Sequence, residues 1–511
     1  MPLAKLTSFA IQGIDAFPVT VEVDVVEVAE PSAATWNIVG LGDMAVREAR
    51  ERVRAALKNS ALALQQRRVV VNLAPADVRK EGSHLDLPMA LAALMATGRV
   101  ANTRAGYASA GELGLDGMIQ PLSGALPLAI GARMEGLEGI LIPAQNAAEA
   151  AHVEGIRVIP VSTLREAADF LNGDAEIAPA TPTLDLNGTA DFEDLRDVKG
   201  QEGAKRALEI AAAGGHNIIL VGPPGSGKTM LARRLPGILP PMTFEERIEA
   251  SKIHSIAGLL DGRRGLLGER PFRAPHHTAS SASLVGGGSN PRPGEVSLAH
   301  HGVLFLDELP EFSRNTLEVL RQPLEDGRVL ISRSAMSVEF PARFLMAAAM
   351  NPTPSGFDPE MALRGKDTPQ AIQRYLSKIS GPLLDRIDLH IECPAVNIAD
   401  LRLREAREGS AEVRARVIAA RAIQTERFRG RPGLFCNAHM GARELNELCH
   451  LSAPAQHILE MAMARLGLSA RAYDRIRKVS RTIADLQGAE EINPEHVSEA
   501  VGYRSLDRLG G

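Results

Sequence analysis

The sequence predicts an α/β protein of several domains ending in a helical region, and three observations predict it. Short apolar or alternating runs are interspersed with helical patterns, and the run Gly222-Pro223-Pro224-Gly225-Ser226-Gly227-Lys228-Thr229 stands between a strand-like and a helix-like segment. Beyond about Asn397 the pattern becomes helical. A chain of 511 residues has room for about two to four domains.

Taken in order, Val19-Thr20-Val21-Glu22-Val23-Asp24-Val25 alternates with the period of a half-buried strand. Val46 to Asn59 reads as a helix rich in Arg and Glu, Arg68 to Leu73 as a strand, and Leu87 to Ala96 as a buried helix. Gly139 to Ile142 and Ile156 to Ile159 fit two further strands, so residues 1–175 are expected to form one α/β domain. The small, polar, proline-bearing stretch from Ala178 to Gly188 marks a linker, set at 176–192. A nucleotide domain is expected over 193–395 and a helical domain over 396–511, where Ile476, Val479, Ile483 and Leu486 line one helix face.

The formal net charge of −5 confines any nucleic-acid contact to a local basic patch. Cys393, Cys436 and Cys449 have no paired spacing, which argues against a disulfide framework or a cysteine zinc site and fits a reducing cytoplasm. Gln12 and Asp15 interrupt the N-terminal apolar residues, so no secretory segment is expected. The run from Leu85 to Thr97 contains Asp86 and Pro88 and is too short to span a bilayer.

The glycine run carries the chemistry. Asn217 to Val221 ahead of it reads as a buried strand, and Met230 to Leu235 behind it begins a helix. Glycines let successive backbone N–H groups turn inward around phosphates at a helix start, so Gly222 to Thr229 is expected to hold a nucleoside triphosphate. Lys228 would reach its β and γ phosphates, and the Thr229 hydroxyl would hold Mg²⁺. The apolar run Val303 to Leu306 ends in Asp307 and Glu308, which suit the Mg²⁺ shell and the attacking water respectively. Phe344 to Met350 ends in Asn351, which either orients that water or simply starts an Asn-Pro turn. Arg386 stands beside Asp385 and Asp388, which alone reads as a surface ion pair.

In this order Asp307-Glu308, Asn351 and Leu384-Asp385-Arg386 resemble the Walker B motif, sensor 1 and arginine finger of AAA+ ATPases. The stretches from Arg270 to Ser280, Gly294 to His300 and Arg321 to Gly327 are similar to the magnesium-chelatase-like branch. With the first domain included, nearly the whole chain resembles the ComM (YifB) family. The resemblance implies an αβα ATPase domain with a parallel sheet and a helical lid, using ATP and Mg²⁺. It implies a homo-oligomeric ring, a hexamer, in which Arg386 reaches the ATP of the neighbouring subunit. Leu468 to Arg475 resembles the lid, with Arg471 as the γ-phosphate contact and Arg475 as its rival. Asp197 to Gln201 resembles the segment that covers the base, which nominates Val198 and Gln201. The activity implied is DNA branch migration during transformation and recombination; the alternative is a chelatase-type or chaperone-like remodeller of a protein.

The first domain resembles the proteolytic domain of Lon at Lys80 to Pro88 and Gly111 to Gly117. Lon-type cleavage needs a serine activated by a lysine amine. Pro121 to Ile130 has no lysine where one is expected, and Ser83 is offset, so a non-proteolytic scaffold is expected. Two insertions could face a ring pore and grip DNA phosphates, or pack between subunits. One runs from about Ser251 to Glu295 with Arg263, Arg264, Arg270, Arg273 and a Gly286 to Ser289 stretch; the other is a hairpin of Arg328 to Arg333 with Ser337 to Phe340. His276-His277 and His300-His301 have no carboxylate or cysteine at ligand spacing and read as hydrogen-bonded structural histidines. Asn351 to Phe357 lacks the cysteines that many relatives carry, so no zinc site is expected there. Arg47, Arg50, Arg52, Arg54 and Lys58, interleaved with Glu48 and Glu51, read as a solvated helix face.

Overall fold

The computed structural model describes residues 3–78, 80, 82–182, 192–260, 265–288, 291–333, 336–356, 367–395, 408–431, 433–504 and 506. The chain forms two compact units, Met1–Gly188 with Phe244–Gly268, and Thr189–Thr243 with Glu269–Gly511.

The alternating valines of the first unit lie within the strand Asp15–Glu27, which buries Val19, Val21, Val23 and Val25. It forms a tight hairpin with Leu3–Gln12 and, on its other side, pairs antiparallel with Arg67–Ala74; Trp36–Val39 completes the sheet. The helix Asp86–Ala96 is apolar all round because it is buried all round. Its first residue, Asp86, accepts from Arg52 Nε at 2.7 Å and Nη2 at 3.1 Å. Burial still pushes the Asp86 carboxyl up to about 6. Arg52 therefore ties the helix Met44–Asn59 to the core, while Arg47, Arg50, Arg54 and Lys58 stay exposed.

A second, parallel sheet of this unit orders Tyr107–Ser109, Gly139–Pro143 and Arg157–Val161. The helix Phe244–Ile256 belongs to this unit too, although its sequence lies inside the expected nucleotide domain. Gly124 N–H donates to Ser255 O at 3.0 Å, Lys252 Nζ meets Asp15 at 2.5 Å, and Ile248 packs on the cluster containing Leu126 and Leu128. The physical reason is packing: Ile248 adds apolar contact to that cluster, and Ala250 and Ile253 have no exposed surface. The expected insertion from Ser251 to Glu295 is thus divided between the units, with Arg263 and Arg264 outside the described residues.

The second unit is built on five parallel strands in the order Phe272–Arg273, Val303–Leu306, Leu345–Met350, Ile218–Val221, Leu389–Glu392. The three central strands are buried throughout, which is why they read as continuous apolar runs. Because all five run the same way, their C-terminal ends share one edge, where open α/β sheets bind ligands. Val413, Val417, Ile476, Ile483 and Val497 of the C-terminal helices join the same core as Leu208, Ile218 and Leu389. The expected boundary at 396 therefore falls inside one compact unit. Among the described residues no helix is long and apolar enough to cross a membrane.

Candidate nucleotide site

Ile218–Val221 delivers the glycine run to the C-terminal edge of the sheet. A side chain at Gly222 would meet the Cys393 carbonyl oxygen at 2.1 Å, so close strand packing demands glycine there. Gly225 and Gly227 have φ of +77° and +90°, with open space where a Cβ would sit, so backbone conformation is what demands glycine at those two positions. The helix Lys228–Arg233 follows at once.

Lys228 Nζ donates to Gly222 O at 2.6 Å, Pro223 O at 2.9 Å and Asn351 Oδ1 at 3.2 Å. Partial burial lowers its pKa. Thr229 Oγ1 donates to Asp307 Oδ2 at 2.7 Å, and Asp307 Oδ1 accepts from Glu308 N at 3.0 Å. The loop lysine, its threonine, the strand-end aspartate and the strand-end asparagine thus converge at the ends of three neighbouring strands. Glu308 is half-exposed in a left-handed backbone conformation, φ +52°, with Oε2 3.2 Å from His277 Nδ1. Gln201 Nε2 donates to Ser226 O at 3.1 Å and Pro394 O at 2.7 Å, tying the loop to the chain beyond Leu389–Glu392. Val198 is buried within the core cluster that also holds Leu195 and Ala204.

Arg386 and Arg471 lie together, apart from these contacts. They line one cavity of about 200 Å³ with Arg475, Lys478, Glu325 and Asp385. No residue of Gly222–Thr229, nor Asp307 or Glu308, lines it. Arg386 Nη1 donates to Pro382 O at 2.7 Å, and Nη2 is paired with Glu325, whose carboxyl it holds below the usual carboxylate range. Arg471 meets Asp385 at 3.2 Å with two-thirds of its side chain exposed, whereas Arg475 meets buried Asp388 at 3.0 Å with a quarter exposed.

Beneath this cavity runs a buried polar network. Asp388 Oδ2 lies 3.2 Å from His216 Nδ1, and His216 Nε2 lies 2.8 Å from Thr482 Oγ1. Asn217 joins the same region to the sheet, donating from Nδ2 to Arg386 O at 2.9 Å and accepting from Met346 N at 2.9 Å. Despite its burial Asp388 is held strongly acidic, chiefly by Arg475 and His216. Asp388→Ala is expected to cost about 3–5 kcal/mol in urea unfolding, because it removes the buried partner of both His216 and the quarter-exposed Arg475. A loss below about 1 kcal/mol, the scale of a surface pair, would reduce the network to that rank.

The remaining expected contacts fall into place locally. Arg273 is paired with Glu295 at 2.6 and 2.9 Å, and Arg270 donates to Pro240 O at 2.6 Å and His301 O at 2.7 Å. The hairpin Arg328–Arg333 with Met336–Pro341 is present, with Arg328 near Glu339 at 3.1 Å and Leu330 exposed. His300 Nδ1 accepts from Arg343 N at 3.0 Å, and His276 Nδ1 lies 2.9 Å from Thr278 Oγ1.

A glycine loop, strand-end acids and a strand-end asparagine gathered at one edge of a parallel sheet make the site of a P-loop nucleotide-binding protein. Family models agree: magnesium chelatase subunit ChlI over residues 194–401, its C-terminal part over 407–504, and a further model of subunit ChlI over 21–146. The chain belongs to the ComM/YifB family. It is 44% identical to the competence protein ComM of Haemophilus influenzae, covering all of this chain and 99% of that protein. It is 42% identical to the YifB protein of Salmonella typhimurium, covering 100% and 98%. Over 159 residues it is 29% identical to Lon protease 2 of Bacillus subtilis, covering 28% of this chain and 27% of that one.

Proposed function

We infer that this chain is an ATP-hydrolysing subunit of a homo-oligomeric ring, a hexamer, that drives branch migration of DNA during uptake and recombination. The observation that carries the reading is the separation of the phosphate loop and its acids from the cavity of arginines. Arginines gathered away from the loop of their own chain suit the loop of a neighbour, and such a finger accelerates hydrolysis only in the assembly. Arg471, the more exposed of the rival pair, would act beside Arg386, while Arg475 keeps the lid helix on Asp388.

The residues fit ATP and Mg²⁺. The Thr229 hydroxyl and Asp307 carboxylate, 2.7 Å apart, are hard oxygen donors of the kind Mg²⁺ takes, and Gly225 and Gly227 leave open space over the loop. Bound Mg²⁺ would supply charge neutralisation across the phosphates. Lys228 would exchange its carbonyl partners for phosphate oxygens, Asn351 would orient water, and Glu308 would accept that water's proton. Gln201 and the chain at Val198 would border the base.

The likeness to the competence protein supports DNA as the track. The first unit serves as a non-proteolytic platform. Ser83 donates to Glu112 rather than to an amine, and Lys80 is buried without a polar partner among the described residues. The purified chain should hydrolyse ATP faster with four-way junctions than without DNA, and should displace strands. Turnover indifferent to every DNA structure would sink the DNA reading and favour a protein client.

A further inference from the structure

The five parallel strands also share an N-terminal edge, opposite the one that carries the phosphate loop. Two of their approaches are joined there: His301, ahead of Val303–Leu306, donates its N–H to the carbonyl oxygen of Arg343, ahead of Leu345–Met350, at 2.7 Å. Phe435 reaches the same place from the segment between the helices Ser410–Arg427 and Ala442–Leu448. The Arg343 guanidinium lies over its ring, 5.1 Å from the centroid. The rings of His301 and His439 stand at 81° and 88° to it, with centroids 6.4 and 6.1 Å away. Arg421 holds the backbone of the same residue, Nη1 donating to Phe435 O at 3.1 Å and Nη2 to Ala212 O at 3.2 Å. The Phe435 side chain still leaves the residue 44% exposed.

An exposed phenylalanine alone means little, because single apolar residues are common on protein surfaces. The charge around this one sets it apart. Among the described residues no carboxylate forms an ion pair with Arg343, Arg421 or His439. Arg429 and Arg431, nearby in sequence, are by contrast paired with Glu426 and Glu447. Arg421 bonds only neutral carbonyls, which leave its charge uncompensated. The Cys436 thiol, next in sequence, registers the field: burial pushes it up, yet His439 and Arg421 bring it down to about 6. Arg343 is steadied by close packing of its stem, since a Cβ at Gly327 would lie 2.8 Å from its Cγ. An exposed aromatic ring beside uncompensated cations suits a single nucleic-acid strand, whose bases stack and whose phosphates are drawn to arginine. With a net charge of −5 over the whole chain, DNA is attracted only where such a patch exists. We propose that Phe435 and Arg343 form a contact site for single-stranded DNA. A base stacks on the exposed part of the ring, Arg343 meets a flanking phosphate, and Arg421 and His439 add to the positive field. The site lies at the opposite end of the strands from the phosphate loop, so a DNA strand can be held without occluding the nucleotide.

This role rests on DNA being the track, so two probes separate the readings. Binding of the full chain to a fluorescein-labelled oligothymidylate of about 20 nucleotides, and to a four-way junction, is measured by anisotropy at several salt concentrations. Phe435→Ala is expected to bind the oligothymidylate about five- to a hundredfold more weakly. Phe435→Leu, apolar but ringless, should lose as much, and Phe435→Tyr, which keeps the ring, should stay within about threefold of wild type. Arg343→Ala should weaken binding and lower the slope of log affinity against log salt by about 0.7, the share of one phosphate on a single strand. Unchanged affinity in Phe435→Ala, full binding by Phe435→Leu, no recovery in Phe435→Tyr or an unaltered salt slope in Arg343→Ala would each overturn the site. A wild-type chain that binds the junction but not the oligothymidylate would overturn the site and leave the DNA track standing; one that binds neither would overturn both.

Discussion

Glu308→Gln is expected to bind ATP with wild-type affinity and to hydrolyse it about 10²–10⁴ times more slowly, the usual contribution of a positioned general base. The amide keeps the volume of the side chain but has no lone pair basic enough to take a proton from water. Binding survives because Lys228 is held by Asn351 and Thr229 by Asp307, while Glu308 meets Asp307 only through its backbone N–H. Single-turnover hydrolysis beside equilibrium nucleotide binding is the measurement. Turnover within about threefold of wild type would remove Glu308 from the chemistry.

Arg386→Ala is expected to slow hydrolysis about 10³–10⁵-fold while leaving nucleotide affinity intact. The arginine is already held against an anion, Glu325, in a cavity that no loop residue lines. Moving to a neighbour's phosphate would exchange one anionic partner for another, with little cost of stripping water from an unpaired cation. Because the group would act between subunits, two defective chains should repair each other. Arg386→Ala mixed with Lys228→Ala should regain activity wherever an intact loop meets an intact arginine. No recovery on mixing, together with lost nucleotide affinity in Arg386→Ala, would contradict the assignment.

The loop and its acids were legible because each signal is local. Gly222 to Thr229, Asp307 and Asn351 all stand directly after buried apolar strands, and a parallel sheet carries such strand ends to one edge. The half-buried strand was legible from its alternation, with Val19 to Val25 placed on the expected face. Relations across the chain were not. Arg52 looks like its exposed neighbours until Asp86 is placed beside it, and nothing near His277 in sequence names Glu308 as its neighbour. Arg471 and Arg475 differ only by one helical turn; what separates them is the part-buried Asp385 beside one and the buried Asp388 beside the other. The signal that could have placed His277 near Glu308 was register, which exists only once two strands are paired.

The helix Phe244–Ile256 has a practical consequence. Its sequence lies between the phosphate loop and the acidic strand, yet it belongs to the first unit, where Ile248 packs on the cluster of Leu126 and Leu128. A cut in the linker expected over 176–192 would leave this helix on the piece that lacks the rest of its unit. The severed piece would carry a helix whose Ile248, Lys252 and Ser255 have lost their partners Leu126, Asp15 and Gly124. The two units are interleaved in sequence, so neither can be deleted, swapped or acquired as a simple cassette.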